Sequence, residues 1–460
     1  MKALLYFAAL TAFAGVADHP DVLAAERLFS AWVDGQMAYR GLPGIAVGVV
    51  HDQELIWAKG FGFADVAAKT PVTPATKFRM ASHSKLFTAT AIMQLRDAGK
   101  LRLDDPVSKY LPWFKMKPAD GDDTEVTIEA LVTHGSGLPR EAGSHWSNFN
   151  FPDAVEVRRI AGEGRAVYPP DTRFKYSNLA FTIAAMVVEQ ISGEPFAAYV
   201  QKHIYDPLGM TASSIDRDVP GLATGYGRRM PDGSRAKMPF IDARAMAGAT
   251  GVTSTVEDMA KFVSSQFQPR ILSRGAQRQM HRVRLLENNW QSGYAVGFSV
   301  RRFQDRVYVG HGGSYPGYKT QTYIQLDDKV GVIVLTNGDD AEPGAIADQL
   351  LTTVGAAVGR AAAVKKAPVW DVSWSRFTGL YRSGNSDTRV IEMNKELVTM
   401  TPNGAAASVQ GRLRPLGDGT FRLESPTGGT AVGEIVRFVE ENGRVVRMVT
   451  GGGSYSQRVE

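Results

Sequence analysis

The chain contains no cysteine. That absence excludes disulfides, thiolate catalysis, cysteine-ligated zinc and a lipid-modified N-terminal cysteine. There is no large excess of either charge: 52 Lys+Arg against 47 Asp+Glu leave a net charge of +5. The basic residues form no run or stripe, so the electrostatic footprint of a nucleic-acid binder is missing. Long hydrophobic runs are missing too. The apolar stretch Ala3 to Val16 is too short to cross a bilayer comfortably, which argues against a stable membrane anchor. The eight histidines are scattered and no His-Glu-x-x-His occurs, so no metal and no other cofactor is expected. No serine has glycine at both second-neighbour positions, which removes the Gly-x-Ser-x-Gly nucleophile elbow.

What is present is ordinary globular protein, with 44% apolar and 22% charged residues. At 460 residues the chain exceeds one ordinary core, which predicts a large domain plus a smaller one. Met1-Lys2, the apolar run and Gly15-Val16-Ala17 before Asp18-His19-Pro20 fit a secretory signal peptide over residues 1–17. The alternative is the first apolar helix of the domain. A cleaved leader implies a periplasmic or secreted protein.

Val22 to Tyr39 has helical periodicity, and Ile45 to Val50 is a buried-strand pattern followed by a polar turn and Leu55 to Ala58. From residue 80 to about 265, helical patterns alternate with Gly/Pro loops. Strands are expected at Ala295–Val300, Val307–Val309, Tyr318–Gln325 and Val330–Thr336, then an apolar helix at Gly344–Val358. This order predicts an α+β domain over 18–359: one antiparallel sheet built from the first and last segments, flanked by helices, with a large helical insertion whose junction with the sheet forms the cleft. Residues 360–369 read as a linker. Beyond it, Asn394-Lys395, Asp418-Gly419 and Asn442-Gly443 separate strand-like runs, supplying the positive φ of tight hairpins, so 370–460 is expected to be a small antiparallel β-barrel or sandwich.

In Phe78 to Lys100, Ser82 and Lys85 stand one helical turn apart, and Gly99 is a natural C-terminal cap. A serine beside a lysine is a nucleophile beside a possible base, and Leu86, Phe87 and Ala89 argue for burial of that lysine. Lowering a lysine pKa from about 10.4 to about 7.5 needs roughly 4 kcal/mol, so a second group is wanted. By itself Ser-x-x-Lys reads more readily as an N-cap serine and a solvated lysine, and the case for chemistry needs the other segments. His83 is adjacent to Ser82 and does not share its face, and His134 reads as a loop stabiliser. Trp146, Phe149 and Phe151 read either as a cleft rim or as packing anchors.

Together with Tyr176-Ser177-Asn178 and His311-Gly312-Gly313-Ser314, Ser82-x-x-Lys85 resembles the three motifs of class C β-lactamases and family VIII carboxylesterases, within the superfamily of penicillin-binding proteins, D-Ala-D-Ala carboxypeptidases and D-aminopeptidases. Segments such as Asp104 to Pro112, Leu131 to Leu138, Tyr205 to Thr211 and Thr253 to Met259 look like the same family, which extends the resemblance over about residues 25 to 355. It implies a β-lactamase/transpeptidase-like fold and an acyl-Ser82 intermediate. Tyr176 is implied as a second proton handler, either phenolate or relay. Asn178 is implied as a partner of Lys85 and of substrate, and the N–H groups of Ser82 and Ser314 as the oxyanion hole, with Gly312 and Gly313 permitting close approach. His311 stands where the penicillin-directed members usually carry Lys, and Gly312 where they carry Thr. Both changes weaken a carboxylate site and favour ester or neutral amide substrates, and His311 is left as a partner for substrate or Tyr176. The resemblance also makes residues 370–460 lipocalin-like, with a cavity, a covering face or an oligomer contact as possible roles. The substrate implied is a small ester, amide or β-lactam. D-peptidase activity and a weakly catalytic penicillin-binding receptor are the alternatives.

Overall fold

Gly44–His51 and Val330–Thr336, far apart in sequence, lie side by side and antiparallel, with Ile45 opposite Thr336 and His51 opposite Val330. Side chains alternate across a strand, so Ala46, Val50, Ile333 and Leu335 enter one core, while Ile45, Val47, Val49, Val332 and Val334 enter another. Burial on both faces explains why these strands read as unbroken apolar runs. The second core is closed by helix Pro20–Arg40 through Phe29 and Val33 and by helix Pro343–Leu350 through Ile346, Ala347 and Leu350.

The structure is a computed structural model that describes residues 15–119, 122–215, 220–303, 306–364, 370–384, 386–402, 408–425 and 431–460. Most of the expected leader (residues 1–14) and residues 365–369 of the expected linker lie outside the described residues. The chain divides into two compact units, residues 1–363 and 364–460.

In the first unit, nine strands form one sheet in the order Thr70–Pro71, Glu54–Asp65, Gly44–His51, Val330–Thr336, Tyr318–Gln325, Arg306–Tyr315, Ser299–Phe303, Ser292–Tyr294 and Leu285–Leu286. The large core on its other face is filled by a helical region that includes Ser84–Asp97, Asn178–Ser192 and Val256–Ser265. A small sheet of Phe78–Ala81, Val252–Ser254 and Ser214–Ile215 leads into the first of these helices. Ser177 caps Asn178–Ser192 by accepting the Ala180 N–H, and Gly193, at φ 72°, ends it.

Three elements differ from the sequence expectation. The strand expected at Ala295–Val300 is split by a turn at Gly297, φ 78°, because helix Ser84–Asp97 presses there: a Cβ on Gly297 would come 2.3 Å from the Ala89 Cβ. The strand expected at Val307–Val309 runs on to Tyr315, so His311 to Ser314 lie inside it. The C-terminal helix is interrupted at Leu351–Gly355 by a wider turn and resumes over Ala356–Val364. No helix among the described residues is long and apolar enough to cross a membrane.

The second unit is a closed barrel of eight antiparallel strands, with Gly379–Arg382 pairing to the last strand, Ser454–Arg458. Asn394 and Lys395 (φ 52° and 60°) and Asn442 and Gly443 (φ 51° and 75°) make its tight hairpins. Its interior holds side chains, as an eight-stranded barrel of this size allows: Tyr381, Val390, Leu397, Phe421 and Val436 are buried. Phe377 stacks on Phe438 with ring centroids 4.4 Å apart.

Candidate active site

Strand Phe78–Ala81 is buried throughout and ends on Ala81 at φ 51°, a left-handed conformation unusual for a residue with a side chain. The chain then turns tightly, with Lys85 N–H donating to Ser82 O and Leu86 N–H to His83 O. The sequence alone puts Ser82 in the first helical turn; the helix begins at Ser84, because Ser82 and His83 are spent turning from strand to helix. Ser84 staples that turn, its hydroxyl donating to Ala81 O and accepting the Val252 N–H. Ser82 is left half-buried.

His83 points the other way, into the core, with Nδ1 3.0 Å from Thr320 Oγ1 and Nε2 2.8 Å from Thr322 Oγ1. Burial pushes its pKa to about 3, so it is a neutral tie between the turn and strand Tyr318–Gln325.

Lys85 is fully buried. Its Nζ lies 3.1 Å from Ser82 Oγ, 2.7 Å from Asn178 Oδ1 and 3.0 Å from Ala249 O. Burial drives its pKa well below the usual lysine range; the Glu141 carboxylate opposes that and Arg140 adds to it. A neutral amine has two N–H bonds and one lone pair. Asn178 Oδ1 and Ala249 O only accept, so they take the two protons and the lone pair is left for the Ser82 hydroxyl.

The Tyr176 hydroxyl donates to Ser82 Oγ at 2.8 Å. Burial raises its pKa, with the Ser82 hydrogen bond and Arg140 opposing, so the resting group is the phenol. His134 explains its placement. The His134 carbonyl accepts the Lys175 N–H at 2.8 Å, its Nδ1 accepts the Ser177 N–H at 3.1 Å, and its ring lies 4.2 Å from the Tyr176 ring. The tyrosine is bracketed on both sides by one residue.

Asn178 opens helix Asn178–Ser192, and its Nδ2 donates to Glu141 Oε1 at 2.8 Å. Glu141 also meets Arg140 Nε at 3.0 Å and His145 Nε2 at 3.2 Å. Burial alone would raise its pKa, but hydrogen bonds from His145 and Asn178 and its contacts with Trp146 and Arg140 outweigh that and hold it below the usual glutamate value. The sequence reading passes over Glu141, since a glutamate beside an arginine reads as a surface ion pair.

Gly313 comes close to the turn that carries Ser82: a Cβ there would lie 2.4 Å from Met80 O and 3.2 Å from the Ala81 Cβ. Tyr315 and Tyr318 close a two-residue turn, and the register pairs Gly313 with Thr320 and Ser314 with Lys319. In such a ladder, alternate pairs exchange hydrogen bonds, so the Ser314 N–H points away from strand Tyr318–Gln325. On that side strand Ser299–Phe303 stops opposite Gly310, leaving the edge open.

His311 is buried beside Tyr294. It is 3% exposed, with Nε2 accepting the Tyr294 hydroxyl at 2.9 Å and Nδ1 donating to Gly312 O at 2.5 Å. Its hydrogen bond is to Tyr294, and it lies on the same side of the strand as Gly313, close to Lys85 and with its ring 6.0 Å from that of His83. Burial, with Lys85 and His83 nearby, keeps its pKa well below the usual value, so it carries no charge. Of the aromatic loop, Phe151 and Trp146 pack on each other and on Tyr315, while Phe149 is 38% exposed. Among the described residues, no cluster of three or more His, Asp and Glu is placed to hold a metal ion.

The family model described as Beta-lactamase matches residues 29–356. The putative penicillin-binding protein PbpX of Bacillus subtilis is 30% identical over 301 residues, which cover 65% of this chain and 71% of that protein. Protein flp of Staphylococcus aureus is 28% identical over 306 residues, covering 64% of this chain but only 60% of its own length. Among solved structures, the octameric penicillin-binding protein homologue from Pyrococcus abyssi superposes with a TM-score of 0.66 at 24% identity, covering 94% of this chain and 100% of that one. The β-lactamase/D-alanine carboxypeptidase from Yersinia pestis, complexed with citrate, gives a TM-score of 0.62 at 22% identity, covering 74% and 99%. These likenesses, below a quarter identity, speak for the fold. The family match spans every residue of the site from Ser82 to Ser314, and on that ground the chain belongs to the beta-lactamase family.

Proposed function

We propose that this protein is a serine hydrolase that cleaves neutral ester or amide carbonyls through an acyl-Ser82 intermediate, nearest in type to a carboxylesterase. The observation that carries the proposal is the double contact at Ser82 Oγ, with Lys85 Nζ at 3.1 Å and the Tyr176 hydroxyl at 2.8 Å. As Oγ attacks the carbonyl carbon, its proton passes to the neutral Lys85 amine, and the charge developing on the carbonyl oxygen is met by the Ser82 and Ser314 N–H groups. When the tetrahedral intermediate collapses, the bond to the leaving group breaks and that group takes a proton from Tyr176, which is resupplied by the Lys85 ammonium. Water then attacks the Ser82 ester, loses its proton to the same pair, and the acid departs with Ser82 restored.

The preference for neutral substrates rests on His311 and Gly312. A buried, uncharged imidazole committed to Tyr294 offers no fixed cation for a carboxylate, and Gly312 offers no hydroxyl. The leader-like Met1 to Ala17 supports export, and the barrel supports a packing or oligomer-contact role.

The test is turnover of p-nitrophenyl acetate and butyrate, a chromogenic cephalosporin and D-amino-acid amides by the protein and by Ser82→Ala. Ester turnover lost in the variant, with slow or absent cephalosporin hydrolysis, is the expected result. A variant as active as the parent removes the nucleophile. Faster hydrolysis of the cephalosporin or of the D-amino-acid amides moves the assignment to another branch of the family, and a trapped acyl group without turnover makes the protein a receptor.

A further inference from the structure

We infer that Glu141 is a positioning residue for the proton-accepting amine: it fixes the Asn178 side-chain amide so that Oδ1, and not Nδ2, faces Lys85, and its negative charge sets the pH at which Lys85 becomes a free amine. The inference rests on the function proposed above and goes beyond the three motifs, none of which contains Glu141.

The two ends of an asparagine amide are nearly isosteric, and a flip exchanges a donor for an acceptor. A flipped Asn178 would put an NH2 against the Lys85 amine. Asn178 Oδ1 would no longer take a proton from Lys85, and the lone pair would be drawn from Ser82. A carboxylate accepts only, and Glu141 Oε1 stands 2.8 Å from Asn178 Nδ2, so the flipped state would face oxygen against oxygen there and is disfavoured. The carboxylate is itself anchored, by His145 Nε2 on one oxygen and Arg140 Nε on the other. The side chain of Glu141 is 16% exposed and that of His145 only 1%, so the anchoring chain from His145 through Glu141 and Asn178 to Lys85 runs largely out of water, where charge acts over a longer reach.

The groups facing Lys85 come from every side. They are Ser82 and His83 from its own turn, His134, Arg140 and Glu141 from the 134–141 loop, Tyr176 and Asn178 from Tyr176-Ser177-Asn178, Ala249 O from the 247–250 turn, and His311 from the central sheet. Among them Glu141 is the group that carries negative charge. Arg140 works against it, but its side chain is 66% exposed and screened by water.

Glu141→Gln keeps an oxygen that accepts from Asn178 and removes the charge; Glu141→Ala removes both. In the glutamine variant the acid limb of kcat/KM moves to lower pH by on the order of one unit, because loss of a nearby negative charge favours the neutral amine. Its plateau stays within about tenfold of wild type. In the alanine variant kcat falls by about tenfold or more with little change in KM, since Glu141 holds the base and not the substrate. The titration is also read without turnover, from the Lys85 signal in 13C-lysine-labelled protein, assigned by its loss in Lys85→Arg. A Lys85 midpoint unchanged in Glu141→Gln overturns the inference, as does a Glu141→Ala plateau equal to wild type. A failure of the proposed function reads differently: Ser82→Ala then matches wild type whatever the lysine titration shows.

Discussion

Lys85 Nζ lies 2.7 Å from Asn178 Oδ1, and this contact, with Ala249 O, occupies the two protons of a neutral amine and leaves its lone pair facing Ser82. Replacing Asn178 by aspartate places a carboxylate on the amine and favours the ammonium. The expected outcome for Asn178→Asp is a loss of kcat/KM at pH 7 of at least about tenfold, with recovery as the pH is raised. A pH profile of the variant beside wild type checks it.

The parent profile follows from two opposed displacements. Burial lowers Lys85 well below its usual range, despite Glu141, and raises Tyr176 above its own. Activity therefore rises as pH passes the lowered lysine pKa, stays level through neutrality, and falls only when the tyrosine ionises at strongly alkaline pH. Tyr176→Phe loses at least about 10²-fold in kcat and with it the alkaline limb. Stopped-flow acylation across the pH range measures both.

The buried histidines make the fold sensitive to acid. His83 is pushed to about 3 and His281 to about 4 by burial, and His134 and His311 well below the ordinary value. A histidine whose folded pKa is depressed contributes no penalty above its unfolded value, near 6.5; below it the unfolded chain takes up protons that the folded one refuses. Each such residue lowers stability by up to about 1.4 kcal/mol per pH unit until its folded pKa is reached. Urea unfolding between pH 7 and pH 4 is expected to show this slope, reduced in His311→Asn.

At Gly313 the added methyl of alanine meets Met80 O at 2.4 Å, a backbone atom that cannot swing aside. Gly313→Ala is expected to cost about 1–3 kcal/mol in stability and to move the Ser314 N–H off the oxyanion position, lowering kcat by about 10²-fold. His311→Lys is a separate case. The new ammonium is buried against Tyr294 without a carboxylate, so the variant unfolds at a lower temperature and gains no activity on carboxylate-bearing substrates. Thermal melts and parallel assays decide both.

The sequence carried much of this. The sheet was readable because Val330–Thr336 is an unbroken apolar, β-branched run and Tyr318–Gln325 is rich in aromatic and β-branched residues, and the three motifs survive as short contiguous words. What it could not show depends on contacts between distant segments. The side chain of His311 faces a core whose Tyr294 comes from another strand, and nothing local distinguishes that from a cleft-facing histidine. Glu141 meets Asn178 only because helix Asn178–Ser192 starts beside it. In the barrel, strands Gly379–Arg382, Gly411–Pro415 and Ser454–Arg458 carry a weak sequence signal because glycine, arginine and serine dilute their alternation, yet two of them close the ring.

Intact-protein mass spectrometry after brief exposure to p-nitrophenyl butyrate, quenched in acid, tests the central claim most directly. One butyryl group per chain, mapped to the peptide containing Ser82, lost on further incubation and absent in Ser82→Ala, is the predicted result. Ester turnover without an adduct on Ser82, at an equal rate in the alanine variant, would contradict it.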